Sequence, residues 1–167
     1  DGVRVGEAIG SAEVPIPNEH PAARHAPPPG SGSIIVVVAT DAPLLPHQCE
    51  RLAQRAGLGL ARTGSIASTG SGDIFLAFAT GNRGLPGPES TPRPGAPVAV
   101  DVRMLDDVRV TPLFQAAVEA VEEAVVNALL TAGTMTGADR ITAHGLDGER
   151  VVDIMARFGR GPKAHPA

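Results

Sequence analysis

A layered α/β fold is what the sequence predicts, and three stretches predict it. Ser33-Ile-Ile-Val-Val-Val-Ala39 and Asp73-Ile-Phe-Leu-Ala-Phe-Ala-Thr80 are apolar runs without polar alternation, the pattern of strands covered on both faces. The third stretch is helical, from Pro112 to Ala132, with Thr111 as N-cap, Pro112 at the first position and Gly133 just beyond the end. Buried strands and an amphipathic helix to cover them imply layers of sheet and helix.

In chain order, residues 1–10 read as a turn and a short strand. Residues 15–32 (PIPNEHPAARHAPPPGSG) form a Pro-rich linker that can build neither a helix nor an interior strand, and is expected to be exposed and mobile. After the first buried strand, Pro46 opens a helix of about three turns on which Cys49, Leu52, Ala53 and Ala56 recur at helical spacing until Gly57 stops it. Residues 58–72 contain a short strand, Leu60 to Ala67, leading to a Gly/Ser turn before the second buried strand. Residues 81–97 are a second Gly/Pro loop, and Val98 to Leu105 is a third strand. The long helix turns Leu113, Ala117, Val121, Ala124, Val125, Ala128 and Leu129 inward and Glu119, Glu122 and Glu123 largely outward. A last helix, from about Leu146 to Phe158, buries Val151, Ile154, Met155 and Phe158.

Composition narrows the function classes. The 167 residues carry 14 Lys and Arg against 18 Asp and Glu, a net charge of −4, with no Trp or Tyr and four Phe. Neither the basic footprint nor the stacking platforms of a nucleic-acid binder are present. The longest apolar run is far shorter than the ~20 residues of a membrane span. One cysteine, Cys49, can form neither an internal disulfide nor a multi-thiolate metal site, and the five histidines (His20, His25, His47, His144, His165) lack ligand spacing. No metal or other cofactor is expected. With no secretory signal in view, a cytoplasmic location is the expectation, and the abrupt start at Asp1 suggests a piece of a longer gene product.

The junction Gly30-Ser-Gly-Ser33 stands directly before the first buried strand. A loose linker ending in Gly-Ser at the first residue of a rigid strand is what an autoproteolytic N-terminal nucleophile requires. Glycine tolerates the strained backbone that lets the next hydroxyl attack its carbonyl. The freed α-amine, with an ordinary pKa of about 7.7–8.0, can then act as base for its own hydroxyl. The same dipeptide also suits an ordinary flexible linker.

The stretch Gly32-Ser-Ile-Ile-Val-Val-Val-Ala-Thr-Asp-Ala-Pro-Leu-Leu-Pro-His-Gln48 resembles the start of the small subunit in the L-aminopeptidase/D-amidase-esterase family, self-processing hydrolases that include β-peptidyl aminopeptidases and nylon-oligomer hydrolases. The resemblance continues through Leu60–Ser65, Ser71–Thr80, Pro112–Leu129 and Thr134-Met-Thr-Gly137, and Asp1–Gly6 is similar to the end of the family's large subunit. It implies an αββα sandwich like that of N-terminal-nucleophile hydrolases, with residues 1–32 as the end of the large-subunit segment plus processing linker and residues 33–167 as the small-subunit catalytic segment. It implies cleavage between Gly32 and Ser33, Ser33 being both processing and catalytic nucleophile. Ser31 is the competing choice, but it stands two residues outside the strand. Ser71 and Asp73 match the serine and carboxylate that the family sets beside the nucleophile; their spacing of two puts both side chains on one side of an extended segment, with Gly72 allowing close backbone approach.

The implied activity is release of N-terminal residues from small peptides, amides or esters through an acyl-enzyme on Ser33. The implied partners are the large-subunit segment of the same precursor, carrying an oxyanion-hole amide and an aromatic residue, and further copies in a homo-oligomer. Rival readings are an endo-acting amide-oligomer hydrolase, an acyltransferase of related fold, whose nucleophile is Thr rather than Ser, and a non-catalytic assembly domain. Ser71-Gly72 as a plain turn with Asp73 as a strand cap is the bland reading of that motif. Asp41 suits either a site or a cap, and Asn82 and Arg83 either a cleft wall or a turn. Cys49 is read as a small core residue, and Asn127 as satisfying a backbone group at the buried margin of the long helix. The Gly-rich segment 64–72 lacks the Lys-Ser/Thr ending of a phosphate loop.

Overall fold

The computed structural model describes residues 2–13, 32–87, 95, 99–140 and 142–161. In chain order its elements are α1 (Val5–Glu13), β1 (Ile35–Thr40), α2 (Pro46–Arg62), β2 (Ile74–Ala79), α3 (Thr111–Thr131), β3 (Met135–Thr136), β4 (Thr142–Ala143) and α4 (Gly148–Arg157). Two compact units result, one spanning Gly30–Val125 and the other combining the residues on either side of it.

In the Gly30–Val125 unit, β1 and β2 pair in parallel, from Ile35 opposite Ile74 to Thr40 opposite Ala79. Helix α2 crosses between them, as a parallel pair requires. Leu44, Leu52, Val110 and Ala117 form the buried core, joined by Val38 and Ala77 from the strands and Leu113 and Phe114 from α3. Gln48 is fully buried, and all its polar atoms are used: Nε2 donates to the Leu105 carbonyl and Asp107 Oδ1, both at 2.7 Å, and Oε1 accepts the Leu45 N–H at 3.2 Å. That side chain ties the start of α2 to the chain leading into α3.

Both strands were expected to be covered on each face, but among the described residues only one face is covered. Val36, Val38, Phe75 and Ala77 turn toward α2, while Ile35 (71% exposed), Val37 (54%), Ile74, Leu76 and Phe78 lie on an open face. A β-branched run reports its demand for cover, not which part of a molecule supplies it.

Other boundaries also move. Gly57 does not end α2, which runs to Arg62 because Leu60 continues the buried stripe. Gly59 is there for space: a Cβ at that position would lie 2.6 Å from the Val118 carbonyl oxygen and 2.8 Å from Val121 Cβ, so the glycine lets α2 and α3 approach. The helix stops at Thr63, whose hydroxyl donates to the Leu60 carbonyl at 2.7 Å. The strand expected over Leu60–Ala67 is therefore helix followed by irregular chain. The strand expected over Val98–Leu105 is absent among its described residues; Arg103 is held by a side chain, Asn82, which accepts its N–H at 2.8 Å and donates to its carbonyl at 2.9 Å.

The second unit pairs α1 with α4 and adds the antiparallel β3–β4 ladder. Residues 1–10 do not form the expected strand: Val5 and Ile9, four apart, are half-buried on one side of α1 while residues 6–8 are exposed. Helix α4 begins at Gly148 because Asp147 caps it, its Oδ1 accepting the Glu149 N–H at 2.9 Å. Ile154 is buried as expected and Phe158 is not. Helix α3 is shifted one residue from the expected Pro112–Ala132: Thr111 lies inside it rather than capping it, the Val110 carbonyl accepting the Phe114 N–H at 3.1 Å, and Ala124, Ala128 and Leu129 are exposed while burial centres on Ala117, Val118 and Val121. Within the described residues no helix is long and apolar enough to cross a membrane. The linker of residues 15–32 lies outside them except for Gly32.

Candidate active site at the head of the parallel pair

The ladder between β1 and β2 is regular as far as the Ile74 N–H, which donates to the Ile34 carbonyl at 2.9 Å. Beyond that rung, side chains take over. The Ile34 N–H donates to Asp73 Oδ1 at 3.2 Å, and the Gly72 N–H donates to Ser33 Oγ at 3.0 Å. Ser71 Oγ donates to the same Asp73 Oδ1. The turn before this segment is closed by the Ser71 N–H on the Ser68 carbonyl at 2.8 Å. Four residues, Ser33, Ser71, Gly72 and Asp73, are thus brought together by the start of two strands.

The contacts differ from a simple triad. No hydrogen bond joins Ser33 Oγ to Ser71 or Asp73 among the described residues; Asp73 instead grips the backbone immediately after Ser33. Strand alternation explains this. Ser33 continues the open face with Ile35 and Val37, whereas Ser71 and Asp73 fall on the half-buried side with Phe75. Asp73 Oδ2 is buried and has no hydrogen-bond partner among the described residues. It borders a cavity of about 240 Å³ with Leu60, Ile66 and Phe75. Gly32 and Ser33 are exposed. Glycine at 72 leaves room for this contact, since a Cβ there would lie 3.2 Å from Ser33 Oγ, a tight approach.

The remaining candidates separate. Asn82 is held by the Arg103 backbone and lines a cavity of about 680 Å³ with Phe75, Leu76 and Phe78, whereas Arg83 Nε donates to the Thr80 carbonyl at 3.3 Å and closes a turn. Asp41 is exposed. Cys49 packs against the core, and burial pushes its thiol pKa up. Asn127 is exposed rather than at a buried margin. Glu122 meets Arg62 at 3.1 Å, and Glu119 and Glu123 are exposed. No group of three His, Cys, Asp or Glu that could hold a metal occurs among the described residues. Ser31, His20, His25 and His165 lie outside them. Two participants escaped sequence reasoning, the Gly72 and Ile34 amides, because a backbone N–H has no letter of its own; the glycine between two site residues was the only trace.

Comparison with known proteins places the chain in a family and a fold. The sequence pattern of peptidase family S58 matches residues 1–143. Beta-peptidyl aminopeptidase BapA of Sphingosinicella microcystinivorans is 42% identical over 132 residues, covering 79% of this chain and 32% of the relative. Its counterpart in Sphingosinicella xenopeptidilytica is 41% identical over 135 residues, covering 80% and 32%. The chain thus spans about a third of the length of these relatives. Among solved structures, a Burkholderia sp. beta-aminopeptidase is similar with a TM-score of 0.69 and 48% identity, over 84% of this chain and 38% of that one. The L-aminopeptidase D-Ala-esterase/amidase of Ochrobactrum anthropi, described as a serine aminopeptidase and a new variant among the N-terminal-nucleophile hydrolase fold, has a TM-score of 0.66 and 39% identity over 90% and 40%.

Proposed function

The chain belongs to peptidase family S58 and has the α/β fold of N-terminal-nucleophile hydrolases, and on that premise we propose that it is the nucleophile-bearing part of a self-processing serine aminopeptidase, amidase or esterase. The observation that carries the reading is the setting of Ser33: an exposed hydroxyl at the head of β1, directly after Gly32, held at 3.0 Å by the Gly72 N–H.

In the uncut chain, Ser33 Oγ adds to the Gly32 carbonyl carbon, the C–N bond breaks, and the hydroxyl proton goes to the departing nitrogen. Water then hydrolyses the resulting ester, giving the Gly32 carboxylate and a free Ser33 amine and hydroxyl. In turnover, that amine takes the hydroxyl proton as Oγ attacks a substrate carbonyl, and passes it to the leaving amine or alcohol. Water deacylates the enzyme. No cofactor enters these steps. Ser71 and Asp73 serve by fixing the backbone that follows the nucleophile.

The substrates are short peptides, amides or esters with a free N-terminal amine. The partner is the remainder of a longer precursor, which closes the site and covers the open apolar face of β1 and β2; assembly is homo-oligomeric. A cytoplasmic location belongs to the same reading, since the lone Cys49 needs no oxidising compartment. The test is N-terminal sequencing of the full-length gene product after expression: a new terminus at Ser33, absent in Ser33→Ala, is expected, and a terminus at Ser31 or Ile34 removes Ser33 from its role. Processed enzyme offered a dipeptide amide and its N-acetyl form should cleave only the first; equal cleavage would favour an endo-acting amidase.

A further inference from the structure

We infer that the backbone N–H of Gly72 is a catalytic hydrogen-bond donor to Ser33 Oγ, an inference that rests on Ser33 being the nucleophile. In the parallel ladder the donors of β2 alternate: Ile74 N bonds the Ile34 carbonyl and Thr80 N the Thr40 carbonyl, each at 2.9 Å. Carried back by two residues, this register assigns Gly72 N to the Gly32 carbonyl, the carbonyl that self-cleavage attacks. The N–H instead goes to Ser33 Oγ at 3.0 Å. The hydroxyl therefore interrupts the ladder at the scissile bond.

Two chemical consequences follow from that diversion. A hydroxyl oxygen that accepts from an amide keeps its own proton free to leave, so the N–H orients Oγ without competing for the base. As the proton departs, negative charge gathers on Oγ, and a donor already in place stabilises that charge without reorganisation. The same donor also faces Oγ in each later acylation, because strand pairing fixes Gly72 against Ser33. Glycine keeps the approach relaxed: a Cβ at position 72 would stand 3.2 Å from Oγ, which would have to shift by a few tenths of an ångström from the N–H.

The test replaces Gly72 by glycolate in the full-length precursor, turning the N–H into an ester oxygen and adding no atoms. Self-cleavage should slow roughly tenfold, the worth of one hydrogen bond, with far-UV circular dichroism unchanged. In the processed enzyme kcat should fall with KM unchanged, because the N–H touches the nucleophile and not the substrate. Cleavage within twofold of the wild-type rate would overturn the inference. Should the ester precursor not fold, Gly72→Ala decides: it keeps the N–H but displaces Oγ, so cleavage several-fold slower is expected, and a wild-type rate refutes the contact. The two readings fail separately: processing that persists in Ser33→Ala removes the nucleophile assignment, whereas an uncut Ser33→Ala beside a normally processed glycolate variant removes only the role of Gly72.

Discussion

Replacing Asp73 by Asn changes charge with almost no change in shape, and the structure sets what that should cost. Oδ1 accepts two hydrogen bonds, from the Ile34 N–H at 3.2 Å and from the Ser71 hydroxyl. A hydrogen bond to an ionised group contributes about 1.5–3 kcal/mol, against about 0.5–1.5 kcal/mol for a neutral pair, so each bond weakens by about 1 kcal/mol. Two of them make about 2 kcal/mol, or a roughly 30-fold slower self-cleavage if the grip on Ile34 is needed to hold Ser33 for attack. A second effect acts on folding. Oδ2 is buried with no partner among the described residues, and an amide NH2 there exchanges one unpaired buried polar atom for another, so stability should fall chiefly by the two weakened bonds, about 2 kcal/mol. The assay is the conversion of full-length precursor to two chains, followed by gel over time, alongside a urea titration of the uncut form. Asp73→Asn precursor that processes within twofold of wild type would show that the carboxylate does not hold the nucleophile, whatever its effect on stability.

Three further outcomes follow from the packing. Gly59→Ala gains about 1 kcal/mol in helix propensity but drives a Cβ to 2.6 Å from the Val118 carbonyl, a clash with backbone, so a net loss of about 1–2 kcal/mol is expected; a higher urea midpoint would refute the close-approach account. Gln48→Leu leaves the Leu105 carbonyl without its donor, while Asp107 keeps Arg51 at 3.2 Å, and should destabilise by about 1–3 kcal/mol, measured by the same titration, with no change in midpoint counting against the network. Burial raises the Cys49 pKa by favouring the neutral thiol, so the thiolate fraction at a given pH falls and iodoacetamide should alkylate folded protein more slowly than urea-unfolded protein. The sign for stability is the same: the contribution is present below the ordinary thiol pKa and is lost as pH rises through the raised folded value. Equal alkylation rates in both states would show that the thiol is not shielded.

What could be read from the sequence was whatever a local pattern encodes. The two strands and the long helix were legible because β-branched runs and an amphipathic stripe are local signals, and the parallel pairing with α2 between follows from their order. Gly57 misled because a glycine suited to ending a helix was instead tolerated inside one, beside the ring of Phe75, whose Cε2 and Cζ a Cβ would meet at 3.7 Å. Val98–Leu105 misled because its described residues pair with no strand: Leu105 donates its N–H to the Pro43 carbonyl at 2.9 Å, and the Arg103 backbone meets the side chain of Asn82. At the site, Ser71 and Asp73 were placed on one side of the strand by their spacing alone. That Ser33 falls on the opposite side was not legible, since it depends on the register of two strands 39 residues apart.

The division of the site between two faces has a consequence for how the proposed chemistry must be completed. Asp73 and Ser71 lie toward α2, where the core limits water and fixes their hydrogen bonds, while Ser33 emerges with Ile35 and Val37 on the uncovered side. The two sets communicate only through backbone, by way of the Ile34 and Gly72 amides. Orientation of the nucleophile can thus be built into this chain, while the side from which a carbonyl approaches Oγ carries, among the described residues, exposed Ile35, Val37, Ile74, Leu76 and Phe78. On the proposed reading, the rest of the precursor removes that apolar area from water. Whatever covers it arrives on the same side as the nucleophile and so forms the wall of the site as it completes the core. Substrate preference must then be set mainly by the covering segment, and substitutions at Val37 or Leu76 that weaken its docking should lower processing and activity together. A Val37→Asp precursor that processes and turns over normally would sever the link between core completion and site assembly.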